Sequence, residues 1–242
     1  MFKATVITLY PEAFPGVLDV SILGRARAEG LWALETVHLR EFGLGKHKKV
    51  DDTPAGGGAG LVLRADIAAA AIDAVPRQGR PLIYPSPRGK PFSQSRAREL
   101  AAGPGIIVLC GRFEGLDERV IKARGLEEVS LGDFVLAGGE VAAQAMIEAS
   151  VRLLPGVAGN AQSIEDESFE NGLLEYPLYT KPSEFEGYKI PPVLLSGNHK
   201  AVDAWRLNRS KELTQALRPD LWAAYTHNLG KIPASETDDE CD

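Results

Sequence analysis

The segment IIVLCGRFEGLDERVIKARG, residues 106–125, decides the fold. Residues 106–110 form an apolar run of the length typical of a buried strand. The glycines of residues 111–115 (GRFEG) interrupt that run, and residues 116–124 are compatible with a helix that stops at Gly125. A strand, a glycine-containing loop and a helix in this order are half of a βαβ unit, which indicates a parallel sheet covered by helices.

The same alternation of strand and helix recurs on both sides of this segment. The pattern predicts strands at residues 5–9, 81–84 and, more weakly, 128–131, and an edge strand at the alternating residues 34–39. Helices are predicted at residues 66–75, 93–102 and 140–153, with Ser93 as an N-cap. We therefore predict an α/β fold whose mostly parallel sheet binds its ligand at the carboxyl ends of the strands.

The composition changes after Pro155. Residues 156–192 are rich in glycine, proline and acidic residues, which is typical of a linker, whereas residues 199–230 show apolar residues at helical spacing. The acidic tail from Ser235 is predicted to be disordered. The sequence thus predicts a small helical second domain.

Composition and charge restrict the class of protein. The chain has 242 residues, 44% of them hydrophobic, and its net charge of −6 disfavours a non-specific nucleic-acid binder. Local basic clusters at residues 46–49 and 199–218 still allow an RNA-binding surface. The chain has two cysteines, of which Cys110 is predicted to be a buried thiol, and this fits a reducing compartment. The sequence shows no targeting segment and no apolar run of about 20 residues. We therefore predict a cytoplasmic protein that does not contact the membrane.

Several common motifs are missing from the sequence. It has no G-x-G-x-x-G segment, no G-x-x-x-x-G-K-[ST] phosphate loop and no G-x-S-x-G elbow. It also has no H-E-x-x-H or Cys/His ligand spacing, so we predict no metal site. These absences disfavour dinucleotide-binding oxidoreductases, P-loop kinases and serine hydrolases.

Three segments that follow predicted strands are rich in glycine and proline. We call residues 84–89 (YPSPRG) the first loop, 111–115 (GRFEG) the second loop and 131–140 (LGDFVLAGGE) the third loop. Glycine permits close approach of a ligand to the backbone, and proline stiffens a loop. Such loops suit a pocket that reads an adenine and a ribose, with apolar walls from Phe113, Phe134 and Leu136. Plain turns remain the alternative.

A fourth glycine cluster, GGGAG at residues 56–60, follows VDDTP at residues 50–54. It lacks the Lys-Ser/Thr of a phosphate loop. By itself it is compatible with a flexible linker. Because the basic residues 46–49 lie close by, it can also let a nucleic-acid backbone or base approach closely.

The combination of these segments closely resembles the bacterial tRNA (guanine-N1)-methyltransferase family, TrmD. The resemblance runs from about Phe2 to about Leu217, in the family's order. The segments that carry it are VDD at residues 50–52 with GGG at 56–58, CGRFEGLDER at 110–119, GDFVL at 132–136 with GGE at 138–140, GLLE at 172–175 with YTKP at 179–182, and PPVLLSGNH at 191–199.

The resemblance implies a SPOUT-type fold, in which the parallel sheet is tied in a deep trefoil knot, and a homodimer with the active site at the subunit interface. It divides the chain into a knotted catalytic domain (residues 1–160), a linker (161–175) and a helical tRNA-binding domain with the acidic tail (176–242). The implied cofactor is S-adenosylmethionine, with Mg²⁺ as a possible activator. The cofactor-binding residues it implies are Tyr84, Pro85, Ser86, Pro87, Gly111, Phe113, Glu114, Gly115, Leu131, Gly132, Asp133, Phe134, Val135, Leu136, Gly138 and Gly139.

The implied substrate is tRNA with guanosines at positions 36 and 37, methylated at N1 of guanosine 37. Guanine N1 carries a proton, so the reaction needs a base, for which a carboxylate is expected. The family commonly has Asp where this chain has Glu167, so Glu167 and Asp166 both remain candidates. Arg152 matches the arginine that is proposed to neutralise the developing charge. The implied substrate-binding residues are His47, Asp51, Gly57, Gly58, Lys200, Arg206 and Arg209.

Two further interpretations remain open. One is a knotted methyltransferase that acts on another RNA position. The other is a non-catalytic module that binds an adenosine ligand or RNA.

Overall fold

The computed structural model of the protein describes residues 1–159, 167–169 and 171–229. The chain divides into two compact units, Met1–Gly159 and Asn160–Asp242. Asp166 and the acidic tail, on which two of the predictions fall, lie outside the described residues.

The first unit is built on a five-stranded parallel sheet with the strand order β2-β1-β6-β5-β7. Its strands are β1 (Phe2–Thr8), β2 (Trp32–His38), β5 (Leu82–Pro91), β6 (Gly105–Leu109) and β7 (Glu127–Ser130). The short strands β3 (Asp51–Asp52) and β4 (Val62–Leu63) form a separate antiparallel pair. The predicted α/β fold with a parallel sheet is therefore confirmed, as is the edge position of β2.

Five helices belong to this unit: α1 (Ser21–Ala28), α2 (Ala65–Asp73), α3 (Gln94–Ala101), α4 (Glu118–Arg124) and α5 (Glu140–Val151). The hydroxyl of Ser93 accepts a hydrogen bond from the Arg96 backbone N–H (3.2 Å), which confirms the predicted N-cap of α3. Gly125 ends α4 in the left-handed conformation, with φ of 60°. The sequence did not predict α1, because its polar sequence SILGRARA buries only Leu23 and Ala26.

Both faces of the sheet are covered by helices. Along β6, Ile106 and Val108 face the apolar layer that includes α1, α3 and α5, whereas Ile107 and Leu109 face the layer that includes α2 and α4. Successive side chains of a strand point to opposite faces, so a strand buried on both sides reads as a continuous apolar run. Cys110 is fully buried, as predicted, and burial raises the pKa of its thiol.

The structure corrects the prediction for the first loop. Residues 84–89 do not connect a strand to a helix; they interrupt β5, which pairs with β7 through Pro85 and again from Lys90. Pro85 and Pro87 have no N–H to donate to the hydrogen-bond ladder. The pairing of β5 with β7 therefore breaks after Pro85 and resumes at Lys90. The first loop is therefore a bulge within a strand that extends to Pro91.

Two segments that were compatible with a linker lie between or contain paired strands. The glycine cluster at residues 56–60 connects β3 to β4, and the segment 156–192 includes a hairpin of β8 (Glu184–Phe185) and β9 (Tyr188–Lys189). Glu186 and Gly187 have positive φ, as a two-residue hairpin turn requires. Short strands of this kind carry no detectable hydrophobic period.

The second unit contains α6 (His199–Leu217) and α7 (Pro219–Leu229), as the helical spacing predicted. The side chain of Asn198 caps α6 by accepting a hydrogen bond from the Ala201 N–H (3.2 Å). Thr214 is buried and its hydroxyl accepts a hydrogen bond from the Leu174 N–H (2.8 Å), which ties the preceding segment to this helix. Among the described residues, no helix is long and apolar enough to cross a membrane.

Candidate active site

The three loops meet in one cavity at the carboxyl edge of the sheet. Its volume of about 530 Å³ lies in the range typical of small-molecule sites. The sequence-predicted residues that line it are Tyr84, Pro85, Ser86, Pro87, Gly111, Phe113, Glu114, Gly115, Leu131, Gly132, Phe134, Val135, Leu136, Gly138 and Gly139. Asp133 belongs to the third loop but is not among the lining residues.

Close backbone contacts hold the second and third loops together. The N–H of Gly139 donates a hydrogen bond to the carbonyl of Gly111 (3.0 Å). A Cβ on Gly139 would lie 2.9 Å from the Cα of Cys110, closer than real side chains approach. Glycine at this position therefore lets α5 begin directly beside the end of β6.

Tyr84 forms part of the buried side of the cavity. Its ring lies against the backbone of Gly111, and only 6% of the residue is exposed. Desolvation by burial raises the pKa of its phenol, although a hydrogen bond with the Leu116 backbone acts in the opposite direction. Tyr84 is therefore a neutral side chain at physiological pH.

Another part of the cavity wall is apolar and open to solvent. Phe113 is 46% exposed, Phe134 54% and Leu136 38%. Large apolar side chains that converge on a cavity and remain exposed indicate a surface covered by a ligand. These are the three side chains for which the sequence predicted apolar walls.

Charged residues that the sequence analysis did not single out also line the cavity. Arg88 lies at its edge and forms ion pairs with Glu118 (3.1 Å) and Glu128 (2.9 Å), and these hydrogen bonds raise the pKa of Arg88. Arg112 lines the cavity from the second loop. Arg88 belongs to the first loop and Arg112 to the second loop, so the sequence could have indicated both as candidate site residues. The residues with which they pair lie in other segments of the chain, which a local reading of the sequence does not reveal.

The glycine cluster at residues 56–60 is attached to the second loop. The N–H of Glu114 donates to the carbonyl of Leu61, and the N–H of Leu63 donates to that of Gly115 (both 2.9 Å). A Cβ on Gly60 would lie 2.4 Å from the Glu114 carboxyl group, so the two segments touch at this point. The structure thus brings the fourth glycine cluster next to the cavity.

None of the substrate-binding residues predicted in the first unit lines this cavity. Gly57 and Gly58 belong to the glycine cluster, and Asp51 is in β3. His47 is exposed in a turn closed by hydrogen bonds between Leu44 and Lys49. A basic turn next to glycine-rich backbone is a suitable surface for a nucleic-acid backbone.

The second unit contains a smaller cavity of about 230 Å³. It brings together two predicted residues, Glu167 and Arg206, along with Glu175, Asp203, Asn171, Ser210, Tyr176, Leu173, Leu174 and Leu207. The guanidinium of Arg206 lies 4.9 Å from the centre of the Tyr176 ring, a cation–π distance. Carboxylates, an arginine and an aromatic ring are groups that can bind a nucleobase.

The remaining predicted residues lie on helices. Arg152 follows α5 as its C-cap residue in the first unit. Lys200 is exposed in the first turn of α6, and Arg209 lies over the Trp205 ring (5.8 Å) and pairs with Glu212. In the part of the chain that the structure describes, no three His, Cys, Asp or Glu side chains are arranged to hold a metal ion.

The first unit is an α/β protein, because its parallel sheet is covered by helices on both faces. Its cavity lies over the strand ends, which is where such sheets bind their ligands. A sequence model of the family tRNA (Guanine-1)-methyltransferase TrmD matches residues 2–224 of the chain. A protein of Mesorhizobium japonicum named tRNA (guanine-N(1)-)-methyltransferase is 61% identical over 232 residues, 95% of this chain and 99% of the relative. A protein of the same name from Brucella ovis is 58% identical over 96% of this chain and 95% of its own.

The chain therefore belongs to the TrmD family of tRNA (guanine-1)-methyltransferases. This confirms the resemblance carried by the glycine-rich segments. The match also spans both compact units of the chain.

Proposed function

We propose that this protein transfers a methyl group from S-adenosylmethionine to N1 of guanosine 37 in tRNA, next to the anticodon, in the cytoplasm. Membership of the family supports the reaction class. The observation that carries the proposal is the convergence of all three loops on one cavity of about 530 Å³ at the carboxyl edge of the sheet.

The residues of this cavity fit the proposed cofactor. The exposed rings of Phe113 and Phe134 offer apolar faces for an adenine, and the glycine-rich backbone offers N–H and C=O groups for its edge. Arg88 and the carboxylate of Glu114 offer charged partners for an amino-acid group. When bound, S-adenosylmethionine supplies a methyl group that its sulfonium already activates.

The chain's own contribution to the chemistry is positioning and proton transfer. Guanine N1 becomes a nucleophile when it loses its proton, and we propose the carboxylate of Glu167 as the acceptor, with Asp166 as the alternative. Negative charge then spreads toward O6, and we assign its neutralisation to Arg152. Glu167 lines the cavity of the second unit, whose mixture of carboxylates, Arg206 and Tyr176 suits a guanine base.

We further propose that the active form is a homodimer with the active site at the subunit interface. The C-terminal strands β5, β6 and β7 carry the cofactor loops, and we propose that the chain is knotted there in the SPOUT manner. The proposed domains are a catalytic domain (residues 1–160), a linker (161–175) and a helical tRNA-binding domain (176–242). Light scattering should give twice the chain mass of 26.0 kDa; a monomer at micromolar concentration would contradict the shared site.

Two surfaces are proposed to bind the tRNA. His47, Asp51, Gly57 and Gly58 lie on or near the glycine cluster beside the cavity, where unstacked bases of the anticodon loop can be read. On α6, Lys200, Arg206 and Arg209 offer cations for phosphates. Phosphate contacts supply affinity, whereas base contacts supply the choice of sequence.

The resemblance also implies activation by Mg²⁺. Within residues 1–159, 167–169 and 171–229, the acidic side chains do not form a group of three that could hold the ion. The described residues therefore do not fit a dedicated metal site, and we derive no step through the metal.

The test is methyl transfer from labelled S-adenosylmethionine to an unmodified tRNA with guanosines at 36 and 37, beside a copy with adenosine at 37. We expect labelled 1-methylguanosine from the first tRNA alone. Equal labelling of both would indicate a different RNA position. No transfer to either, with cofactor binding intact, would favour the non-catalytic module.

A further inference from the structure

An ion pair between Arg112, whose side chain is 25% exposed, and the buried Glu140 lies beside the cavity of the first unit. The Nη2 of Arg112 is 2.9 Å from the Oε2 of Glu140, a residue that is only 4% exposed. The hydroxyl of Thr8 donates to the other carboxylate oxygen, Oε1 (2.7 Å). The Arg112 guanidinium also lies 4.3 Å from the centre of the Tyr10 ring.

These contacts join three separate parts of the chain. Thr8 ends β1 and Tyr10 follows it closely, Arg112 belongs to the second loop, and Glu140 ends the third loop and begins α5. The Nη1 of Arg112 donates to the carbonyl of Ala137 (3.3 Å) within the third loop. One guanidinium therefore holds the third loop at two points, residues 137 and 140.

Gly138 shows how closely the third loop follows this guanidinium. A Cβ built on Gly138 would lie 2.2 Å from the Nε of Arg112 and 2.5 Å from its Cζ. The guanidinium thus occupies the space into which any other residue at position 138 would project. The path of the third loop is shaped around Arg112.

The energetics argue against stability as the main reason for this pair. Burying the Glu140 carboxylate costs desolvation energy, and an ion pair that holds a buried charge is often no more stabilising than apolar residues of the same volume. The third loop has no helix or strand between Leu131 and Gly139, and it presents Phe134 and Val135 to solvent. The shape of the third loop therefore depends on the contacts that anchor it. Arg112 supplies a charged anchor through its contacts with Glu140 and Ala137.

We propose that Arg112 is a positioning residue that fixes the third loop against the second loop in the conformation that receives S-adenosylmethionine. This inference rests on the proposed function of the cavity. Arg112 acts through Ala137 and Glu140, because its two terminal nitrogens are engaged with those residues rather than directed only at the cavity. A loose third loop would bind the cofactor weakly and place its methyl group imprecisely.

A set of three variants separates positioning from simple stability. Arg112→Met leaves the Glu140 carboxylate buried without its cation, so we expect a lower unfolding temperature and weaker cofactor binding. Arg112→Met combined with Glu140→Gln removes both charges, so stability should largely return. The dissociation constant for S-adenosylmethionine, measured by calorimetry, should still be raised about tenfold or more. Arg112→Lys, which keeps the charge, should recover part of the affinity.

Two further readouts locate the effect. In the double variant, KM for S-adenosylmethionine should rise while KM for tRNA stays unchanged. Amide hydrogen exchange of residues 131–140 should become faster in the cofactor-free protein, while exchange in β1 and β6 stays slow. Arg119→Met is the matched control, because this arginine of the same sequence motif pairs with Asp117 on the exposed surface (2.7 Å).

The outcomes distinguish this inference from the proposed function. A double variant that recovers wild-type affinity, KM and loop exchange would show that the pair is purely structural, and would overturn the inference alone. A wild-type protein that fails to bind S-adenosylmethionine would overturn the proposed function and the cofactor role of Arg112 together. The exchange measurement needs no ligand and decides independently whether Arg112 anchors the third loop.

Discussion

Gly111 and Tyr84 approach each other so closely that only glycine fits at position 111. A Cβ built on Gly111 would lie 2.8 Å from both Cε2 and the hydroxyl oxygen of Tyr84. Tyr84 is buried and belongs to β5, so a Cβ at position 111 would require the Tyr84 ring or the second loop to shift. The second loop and the first loop are therefore in direct contact across the floor of the cavity.

Gly111→Ala should consequently weaken cofactor binding. The added methyl group would displace either the Tyr84 ring or the second loop, both of which line the cavity. We expect the dissociation constant for S-adenosylmethionine to rise about tenfold or more, measured by calorimetry. Gly159→Ala, which adds a methyl group in open space at a residue that does not line the cavity, is the control for a glycine change; an unchanged affinity in Gly111→Ala would contradict the proposed site.

Glu167→Gln tests the proposed base. The amide cannot accept the N1 proton as a carboxylate does, so kcat should fall by about 10²- to 10⁴-fold, whereas KM for S-adenosylmethionine should not change. The measurement is single-turnover methyl transfer to unmodified tRNA. Glu184→Gln is the matched control, since Glu184 is an exposed carboxylate of the same unit that does not line the cavity. A wild-type rate in Glu167→Gln would transfer the role to Asp166 and call for the corresponding Asn variant.

Tyr84→Phe should change how stability depends on alkaline pH. Burial raises the pKa of the Tyr84 phenol above its ordinary value of 10.0. A group with a raised pKa contributes stability that is fully present below the unfolded-state pKa and is lost as pH rises through the folded-state pKa. The phenylalanine variant lacks this titration, so its free energy of unfolding should fall less than that of the wild type between about pH 9 and 11.

Urea unfolding at both pH values measures this difference. Burial also raises the pKa of the Cys110 thiol, but this thiol is present in both proteins and cancels in the comparison. If the free energy of unfolding falls by the same amount in both proteins between these pH values, the pKa of Tyr84 does not differ between the folded and unfolded states.

Ser93→Ala should destabilise the first unit by about 1 kcal/mol through loss of the α3 N-cap. The Ser93 hydroxyl accepts a hydrogen bond from the Arg96 N–H, which lacks a partner within the helix. The shift is measured by denaturant unfolding, and cofactor affinity should not change because Ser93 does not line the cavity. Ser93→Thr, which keeps a hydroxyl that can accept the Arg96 hydrogen bond, should have a smaller effect.

Much of the local structure could be read from single segments of the sequence. The apolar run at residues 106–110, the cap at Ser93 and the stop at Gly125 depend on neighbours within a few residues, and each was predicted correctly. The three loops were found for the same reason, because glycine and proline alter the backbone where they stand. Their shared cavity followed from one rule, that parallel strands present their carboxyl ends at a common edge.

The predictions failed where the structure depends on distant parts of the chain. The first loop was expected to end a strand, but pairing with β7 resumes at Lys90 and makes it a bulge. The glycine cluster was compatible with a linker, but hydrogen bonds from Glu114 and Leu63 join it to the second loop. Register and loop contacts of this kind are set by partner strands that no local window contains.

The sequence by itself determined the α/β class, the positions of the glycine-rich loops and membership of the family, because these depend on local periodicity and on motifs in a fixed order. Only the tertiary structure decided that Glu140 meets Arg112 and Thr8, or that Tyr84 lies against Gly111. Those pairs are separated by up to 132 residues in the chain. Folding brings them together because the burial of both faces of the sheet fixes where each strand ends, and the loops must pack in the space that remains.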